Sequence, residues 1–344
     1  MKKLSVLLLL LMATLVFSAC NVDGNKPSAY HDNANREDSL SGGVKLIPIT
    51  TSKGVFNVWT KRVGNNPKIK VLLLHGGPGS THEYFECFDS YFPKAEIEYY
   101  YYDQLGSAYS DNPNDSSLWN LPRFVEEVET VRKALGMDSS NFFLLGHSWG
   151  GILATEYALK YQKNLKGLII SNMVPSIPDY VKYANEVLGP KLPKEVLATI
   201  RAYEAKGDYT NPAYLKIITD YYYPEHILRM PPANWPDPVK RALARMNYPL
   251  YLKMQGPSEF GVVGDAVLKN WDRKADLNTI TVPTLSIGGE FDTMDPKAME
   301  ALSKQVKDGQ FLYCPKGSHM SMYDDQFTYF TGLVKFIKGV DTRK

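Results

Sequence analysis

The sequence lacks the features that mark several large classes of protein. It has three cysteines in 344 residues, and the two in its main body, Cys87 and Cys314, have no metal-ligand neighbour at useful spacing. We therefore predict no metal site and expect these two residues to be buried free thiols rather than a disulfide. The formal net charge is only +2, and no run of basic residues suggests a nucleic-acid partner. With 44% hydrophobic and 22% charged residues, the composition is that of a globular protein.

Residues 1–19 have the pattern of an export signal. Two lysines precede an apolar stretch of signal-peptide length, and the small residues Ser18 and Ala19 stand directly before Cys20. This segment resembles the bacterial lipobox, although Phe17 replaces the usual leucine, and the resemblance implies cleavage before Cys20 and a lipid on its thiol. An ordinary secretory signal cleaved near Ala19 is the alternative.

Residues 20–43 are polar and show no apolar periodicity, which predicts a flexible tether. A lipid on Cys20 would make the membrane a partner of the protein through this tether. The expected location is then the bacterial cell envelope, on its periplasmic or surface face. Nothing in the pattern specifies an oligomeric state.

From residue 44 onward, strand and helix patterns alternate. Residues 44–50 and 55–63 alternate apolar and polar side chains, which predicts an antiparallel pair of edge strands. Continuous apolar runs predict buried strands over residues 69–74, 97–102, 142–145, 168–171, 281–287 and 310–314. Helical spacing predicts helices over residues 121–135, 152–161 and 327–337.

The alternation stops between residues 176 and 270, where the chain is helical in character and rich in proline. This segment is predicted to be a helical cap inserted into a core of residues 44–175 and 271–344. The predicted fold class is α/β, specifically an α/β-hydrolase fold with a mostly parallel sheet flanked by helices.

The candidate nucleophile is Ser148. Residues 146–150, Gly-His-Ser-Trp-Gly, fit the G-x-S-x-G elbow and stand between a predicted strand and a predicted helix, as that motif requires. The oxyanion hole needs two backbone amides, and we assign one to Trp149, directly after the nucleophile. The other is assigned to Gly77, because residues 75–79, His-Gly-Gly-Pro-Gly, follow the first buried strand and allow close approach to a reacting carbonyl.

A serine needs a base, and His319 is the candidate because it follows a late strand in a short glycine-containing loop. The third member should follow the strand at residues 281–287, and we select Asp292 there. Asp295 precedes a proline and is predicted to cap the next helix instead. The other histidines are predicted to be structural or solvated: His31 in the tether, His75 in the oxyanion loop, His147 turned away by the elbow, and His82 and His226 in surface or cap segments.

Taken together, residues 75–79, 103–107, 146–151 and 317–319 resemble the prolyl aminopeptidase (proline iminopeptidase) family of serine peptidases. Residues 255–260, Gln-Gly-Pro-Ser-Glu-Phe, are similar to the branch that contains the archaeal tricorn-interacting aminopeptidase. The resemblance implies removal of one N-terminal residue, often proline, from short peptides. It also implies catalysis without a metal, and we expect no cofactor.

The resemblance further implies that Glu259 binds the free α-ammonium of the substrate, since a carboxylate in a dry pocket can do so by a charge-assisted hydrogen bond. The alternative role for Glu259 is a structural ion pair within the cap. Thr293 stands where the related branch has a second glutamate, and Glu290 is a candidate to replace its charge. Leu105 also departs from the family, in which arginine or an aromatic residue is common.

The predicted function is thus a serine aminopeptidase that releases proline or another small apolar residue through an acyl-enzyme. The runner-up is an esterase or amidase that uses the same three residues on a small acyl substrate, for which Thr293 is the main support. A third hypothesis is a non-catalytic lipoprotein that binds peptides, which would predict a damaged triad.

Overall fold

The computed structural model describes residues 29–343, so the predicted signal peptide and Cys20 lie outside the described residues. Within them the chain forms eight strands: β1 (Val44–Thr51), β2 (Gly54–Val63), β3 (Lys70–Leu74), β4 (Glu98–Asp103), β5 (Phe142–His147), β6 (Gly167–Ser171), β7 (Thr284–Gly289) and β8 (Gly309–Cys314). They form one sheet in the order β1-β2-β4-β3-β5-β6-β7-β8. The first two strands are antiparallel edge strands, and every pair from β4 to β8 is parallel. The predicted α/β architecture is confirmed.

The helices are α1 (Leu121–Ala134), α2 (Trp149–Tyr161), α3 (Ile177–Tyr183), α4 (Lys194–Ala205), α5 (Pro212–Tyr221), α6 (Tyr223–His226), α7 (Asp237–Ala244), α8 (Tyr248–Met254), α9 (Pro296–Gln305), α10 (Ser321–Asp324) and α11 (Gln326–Asp341). A 3₁₀ segment, His82–Ser90, follows β3. None of the helices within residues 29–343 is long and apolar enough to cross a membrane.

The continuous apolar runs form central strands because both faces of the sheet are covered. On β3, Leu72 and Leu74 enter a cluster with residues of α1, α2 and α9. Their neighbours Val71 and Leu73 point to the other face and pack with residues of the 3₁₀ segment and α11. Side chains alternate along a strand, so β3 presents apolar side chains to both covered faces.

Between β6 and β7 the chain forms α3 to α8. Part of this region has its own apolar cluster, which includes Ile200, Tyr214, Ile218 and Phe260. Helices α7 and α8 instead contribute to the two clusters of the main sheet. The segment therefore lies over the carboxyl edge of the sheet, where β3 and β5 end.

The predicted tether, residues 20–43, differs from the structure in its described part. Tyr30 is buried, and its hydroxyl donates to the carbonyl of Ile97 at 3.0 Å. Asp38 accepts two hydrogen bonds of 2.8 Å from Arg62, a side chain of β2 that is itself nearly inaccessible. A buried guanidinium requires a counter-charge, so Asp38 holds residues 29–43 against the core.

Candidate active site

The elbow at Ser148 is a strained turn between β5 and α2. Ser148 has φ 56° and ψ −126°, a conformation that side chains rarely adopt. A Cβ on Gly146 would lie 1.9 Å from the carbonyl oxygen of Gly150, and one on Gly150 would lie 2.1 Å from that of Leu74. The G-x-S-x-G pattern is therefore a steric requirement, and α2 begins at Trp149, three residues before the predicted start.

His319 and Asp292 are paired, although they come from different loops. His319 Nδ1 lies 2.9 Å from Asp292 Oδ1, and both side chains are buried. The amide of Met294 also donates to Oδ1 at 3.0 Å, and Asn172 Nδ2 donates to Oδ2 at 2.7 Å. Because an ionised carboxylate only accepts, the Nδ1 of His319 carries the proton and its Nε2 can accept one.

Burial lowers the pKa of His319, but the charge of Asp292 and the hydrogen bond to it outweigh that effect and raise the pKa above its usual value. Ser148 and His319 line the same cavity. No hydrogen bond joins their side chains in the part of the chain that the structure describes.

The predicted role of Asp295 is confirmed. Its side chain accepts a hydrogen bond of 2.9 Å from the amide of Lys297 and caps α9. Within residues 29–343 the hydrogen bond to the His319 ring comes from Asp292, not from Asp295.

Of the two predicted oxyanion donors, Gly77 lines the same cavity as Ser148, and Trp149 follows Ser148 directly in the chain. The Trp149 amide belongs to the first residue of α2, and such amides have no acceptor within the helix. The amide of Gly76, by contrast, already donates to the Tyr84 hydroxyl at 2.6 Å, which leaves Gly77 as the nearest free glycine amide of this loop.

Gln104 connects the two sides of this candidate oxyanion hole. Its side-chain oxygen accepts from the indole of Trp149 at 2.8 Å, and its Nε2 donates to the carbonyl of His75 at 3.1 Å. The backbone amide of Gln104 donates to His75 Nε2, also at 3.1 Å. Leu105, the departure from the family pattern, is buried in the core and does not line the cavity.

The cavity above Ser148 has a volume of about 260 Å³. Its floor comes from the core and its roof from the cap. Residues that line the roof are mostly apolar or aromatic: Leu215, Tyr223, Ile227, Trp235, Val239, Ala242, Leu243, Met246, Tyr248 and Tyr251. A site of this kind can bury a small apolar group beside the nucleophile.

Glu259 places a carboxylate in this cavity. Its Oε1 accepts a hydrogen bond of 2.6 Å from Tyr251, whereas its Oε2 is buried and has no hydrogen-bond partner within residues 29–343. Burial raises the pKa of Glu259, although the hydrogen bond from Tyr251 and the proximity of His319 oppose the shift. No ion pair with a cap residue satisfies this side chain in the described chain, so the structural interpretation of Glu259 is not supported.

Thr293 acts on the backbone of Glu259. Its hydroxyl donates to the Glu259 carbonyl at 3.0 Å and lies 2.6 Å from the hydroxyl of Tyr222. Glu290, the candidate for replacing the second glutamate, is exposed and accepts from Tyr313 at 2.5 Å. Glu290 therefore lies outside the cavity and adds no charge to it.

Two further histidines are buried, and His226 lies in the cap segment, one of the two positions that the sequence predicts for this pair. His82 is buried, and its amide and Nδ1 both lie 2.9 Å from Asp103 Oδ1. His226 lies in α6 of the cap but is also buried, with its ring 2.9 Å from the Phe291 carbonyl. Both are structural because buried ring nitrogens need partners.

The remaining sequence expectations concern cysteines and metals. Cys87 is half-buried, Cys314 is buried, and both are free thiols. Within residues 29–343, no cluster of three or more histidine, cysteine or acidic side chains is arranged to hold a metal ion.

Comparisons with known proteins agree with this geometry. Residues 70–326 match the family model described as "alpha/beta hydrolase fold". The chain is 59% identical over 298 residues to "Proline iminopeptidase" of Elizabethkingia meningoseptica, a match that covers 87% of this chain and 99% of the relative. The protein of the same name from Flavobacterium johnsoniae is 56% identical, with the same coverage of both chains.

Two solved structures superpose on this chain over most of its length. The crystal structure of proline iminopeptidase from Mycobacterium smegmatis superposes with a TM-score of 0.76 at 28% identity and covers 87% of this chain and 98% of its own. The crystal structure of VinJ has a TM-score of 0.78 at 25% identity, over 86% of this chain and 99% of that one.

Proposed function

The chain belongs to the proline iminopeptidase family of α/β hydrolases, and from this premise we propose that it is a serine aminopeptidase releasing an N-terminal proline or small apolar residue from short peptides. One observation of the site carries the proposal. The Oε2 of Glu259 is buried without a hydrogen-bond partner in the described chain, and the Glu259 side chain lines the cavity that contains Ser148. A substrate ammonium would satisfy this oxygen.

In the proposed reaction, Ser148 Oγ attacks the carbonyl of the first residue while His319 Nε2 accepts the hydroxyl proton. The amides of Gly77 and Trp149 stabilise the negative oxygen of the tetrahedral intermediate. The C–N bond then breaks, His319 donates its proton to the leaving amine, and an ester to Ser148 remains. Water hydrolyses this ester by the same steps and releases the amino acid.

The second glutamate of the related branch is replaced by Thr293, so a single carboxylate is proposed to bind the ammonium. Thr293 supports this function because its hydroxyl holds the backbone carbonyl of Glu259. Tyr251 fixes Oε1, which leaves Oε2 for the substrate. A single oriented carboxylate can therefore bind the substrate ammonium without the second glutamate that Thr293 replaces.

We expect rapid hydrolysis of prolyl-p-nitroanilide and essentially none of its N-acetylated form. Glu259→Gln should lower kcat/KM on the free substrate by about 100-fold, because an amide cannot neutralise a buried ammonium. The assay is a panel of free and N-acetylated aminoacyl-p-nitroanilides with the purified chain that lacks its first twenty residues.

Glu290→Gln is the matched control, since Glu290 is an exposed glutamate bound only to Tyr313 in the described chain. It should leave both rates unchanged. Equal hydrolysis of free and acetylated substrates by the native chain would contradict amine recognition, and the esterase or amidase alternative would then lead. The close relatives do not favour that alternative. The non-catalytic hypothesis likewise finds no damaged residue among Ser148, Asp292 and His319.

We also propose that the protein is a lipoprotein anchored to the bacterial cell envelope through Cys20. Its support is the sequence of residues 1–20 alone. In a bacterial host supplied with labelled palmitate, the full chain should carry the label and fractionate with membranes. Cys20→Ala should lose the label. An unlabelled mature chain that begins near Cys20 would show an ordinary secretory signal instead.

A further inference from the structure

A buried chain of hydrogen bonds connects three loops of the site and contains two residues that have no role in the reaction described above. The amide of Gly76 donates to the Tyr84 hydroxyl at 2.6 Å. That hydroxyl lies 3.0 Å from His147 Nδ1. His147 Nε2 in turn lies 2.8 Å from the carbonyl oxygen of His319.

The direction of each hydrogen bond follows from the two groups at the ends of the chain, the His319 carbonyl and the Gly76 amide. The carbonyl of His319 can only accept, so the proton of His147 is on Nε2. A neutral imidazole with that proton accepts at Nδ1, and the Tyr84 hydroxyl must therefore donate to it. Burial, reinforced by the proximity of His319, lowers the pKa of His147 to about 3, so the ring stays neutral. The Tyr84 oxygen is then free to accept from Gly76.

The chain of bonds fixes the peptide that carries the candidate oxyanion donor. While Tyr84 holds the amide of Gly76, His75 Nδ1 donates to the Gly76 carbonyl at 2.9 Å. The N–H and C=O groups of a trans peptide point in opposite directions, so the amide of Gly77 points away from His75. Gly76 also lies directly over the nucleophile, because a Cβ on it would be 3.1 Å from Ser148 Cβ.

We propose that Tyr84 and His147 are positioning residues that hold the oxyanion loop in register with the nucleophile and the base. Both line the cavity, and the ring centroids of His147 and His319 lie 4.9 Å apart, but within residues 29–343 neither residue forms a hydrogen bond with the side chain of Ser148 or His319. Tyr84 orients the loop that presents Gly77, and His147 ties that loop to the backbone of His319. Their effect is greatest in the transition state, when negative charge appears on the oxygen that faces Gly77. The proposal rests on the proposed serine mechanism.

The test is Tyr84→Phe, which removes one hydroxyl and keeps the ring. We expect kcat on prolyl-p-nitroanilide to fall by about 10- to 100-fold, while KM changes by less than about twofold. Prolinal, an aldehyde that forms a tetrahedral adduct with the serine, should bind more weakly by about the same factor as the loss in kcat. Free proline, which forms no such adduct, should bind as to the native chain.

His147→Phe should reproduce this pattern, and the double variant should lose no more than the stronger single variant, because both residues belong to one chain of bonds. Tyr157→Phe is the matched control. It also removes a buried tyrosine hydroxyl, one that donates to Glu129 at 2.8 Å and has no contact with the site. It should leave kcat and prolinal binding unchanged.

Equal kcat for the Tyr84 and Tyr157 variants would overturn the proposal. So would a parallel loss of proline binding, prolinal binding and melting temperature, which would indicate a merely structural role. If the native chain fails to cleave prolyl substrates, that result contradicts the proposed peptidase function but does not test the positioning role of Tyr84 and His147. The same variants are then compared on p-nitrophenyl acetate, whose hydrolysis needs the same oxyanion donors, and an unchanged kcat there overturns the inference.

Discussion

Ser148→Ala is expected to lower kcat on prolyl-p-nitroanilide by at least about 10⁴-fold. The hydroxyl oxygen is the atom that would form the acyl-enzyme, and alanine offers no substitute. The fold should persist. Within residues 29–343 the Ser148 hydroxyl makes no hydrogen bond that alanine would lose, and the positive φ at this position is the same for alanine as for serine. An unchanged melting temperature would show this.

Covalent labelling separates this loss from a general disturbance of the site. A fluorophosphonate probe should label the native chain and fail on Ser148→Ala. Ser80 is the other serine on the cavity wall, and Ser80→Ala should retain labelling. Turnover at the native rate in the Ser148 variant would end the assignment, as would persistent labelling of the cavity in that variant.

The parts of this site that the sequence predicts are those encoded by local pattern. The strand, glycine and helix signals around Ser148 lie within about twenty residues of one another, and steric exclusion at Gly146 and Gly150 makes that pattern nearly obligatory. His319 could be selected because it follows a late strand. The fold follows from the same periodicities, since central strands such as β3 and β5 are mainly apolar runs that enter the two core clusters.

The chain of hydrogen bonds through Tyr84 and His147 could not be predicted from local pattern. Sixty-three residues separate its two members, and 172 separate His147 from His319. The sequence interpretation set His147 aside because the elbow turns it from the nucleophile, but the same turn directs it toward two other loops. A histidine directly before the nucleophile was the one signal in the sequence. It could be interpreted only once its partners, the Tyr84 hydroxyl and the His319 carbonyl, were known.

Residues 29–43 illustrate a second limit. Their polar composition predicts a flexible tether, yet a single buried arginine on β2, Arg62, gives Asp38 a partner within the core. Composition reports how much apolar surface a segment can bury. It does not report that another segment carries an unsatisfied charge, which is a property of the assembled sheet.

Asp292→Asn is expected to lower kcat by about 10⁴-fold. The carboxylate accepts from three donors: His319 Nδ1 and the Met294 amide at Oδ1, and Asn172 Nδ2 at Oδ2. An asparagine has one oxygen to offer. With its oxygen at the Oδ1 position, its NH₂ group opposes the NH₂ of Asn172. In the other orientation its NH₂ faces His319, which must then accept at Nδ1 and can no longer accept a proton from Ser148 at Nε2.

The pH dependence of the residual activity gives an independent readout. A base works when it is neutral, so native activity should fall as the pH drops through the pKa of His319, which Asp292 raises above its usual value. Without that charge, burial dominates and the pKa of His319 falls. The acid limb of the residual activity should therefore move to lower pH.

Asp295→Asn is the matched control, three residues further along the same loop. Asparagine caps helices about as well as aspartate, so both the rate and the acid limb should stay within about twofold and a few tenths of a pH unit of the native values. A large loss in the Asp295 variant with a near-native Asp292 variant would reverse the assignment. A large loss in the Asp292 variant with an unmoved acid limb would mean that Asp292 acts by holding the loop, because a charge paired with the base must shift its titration.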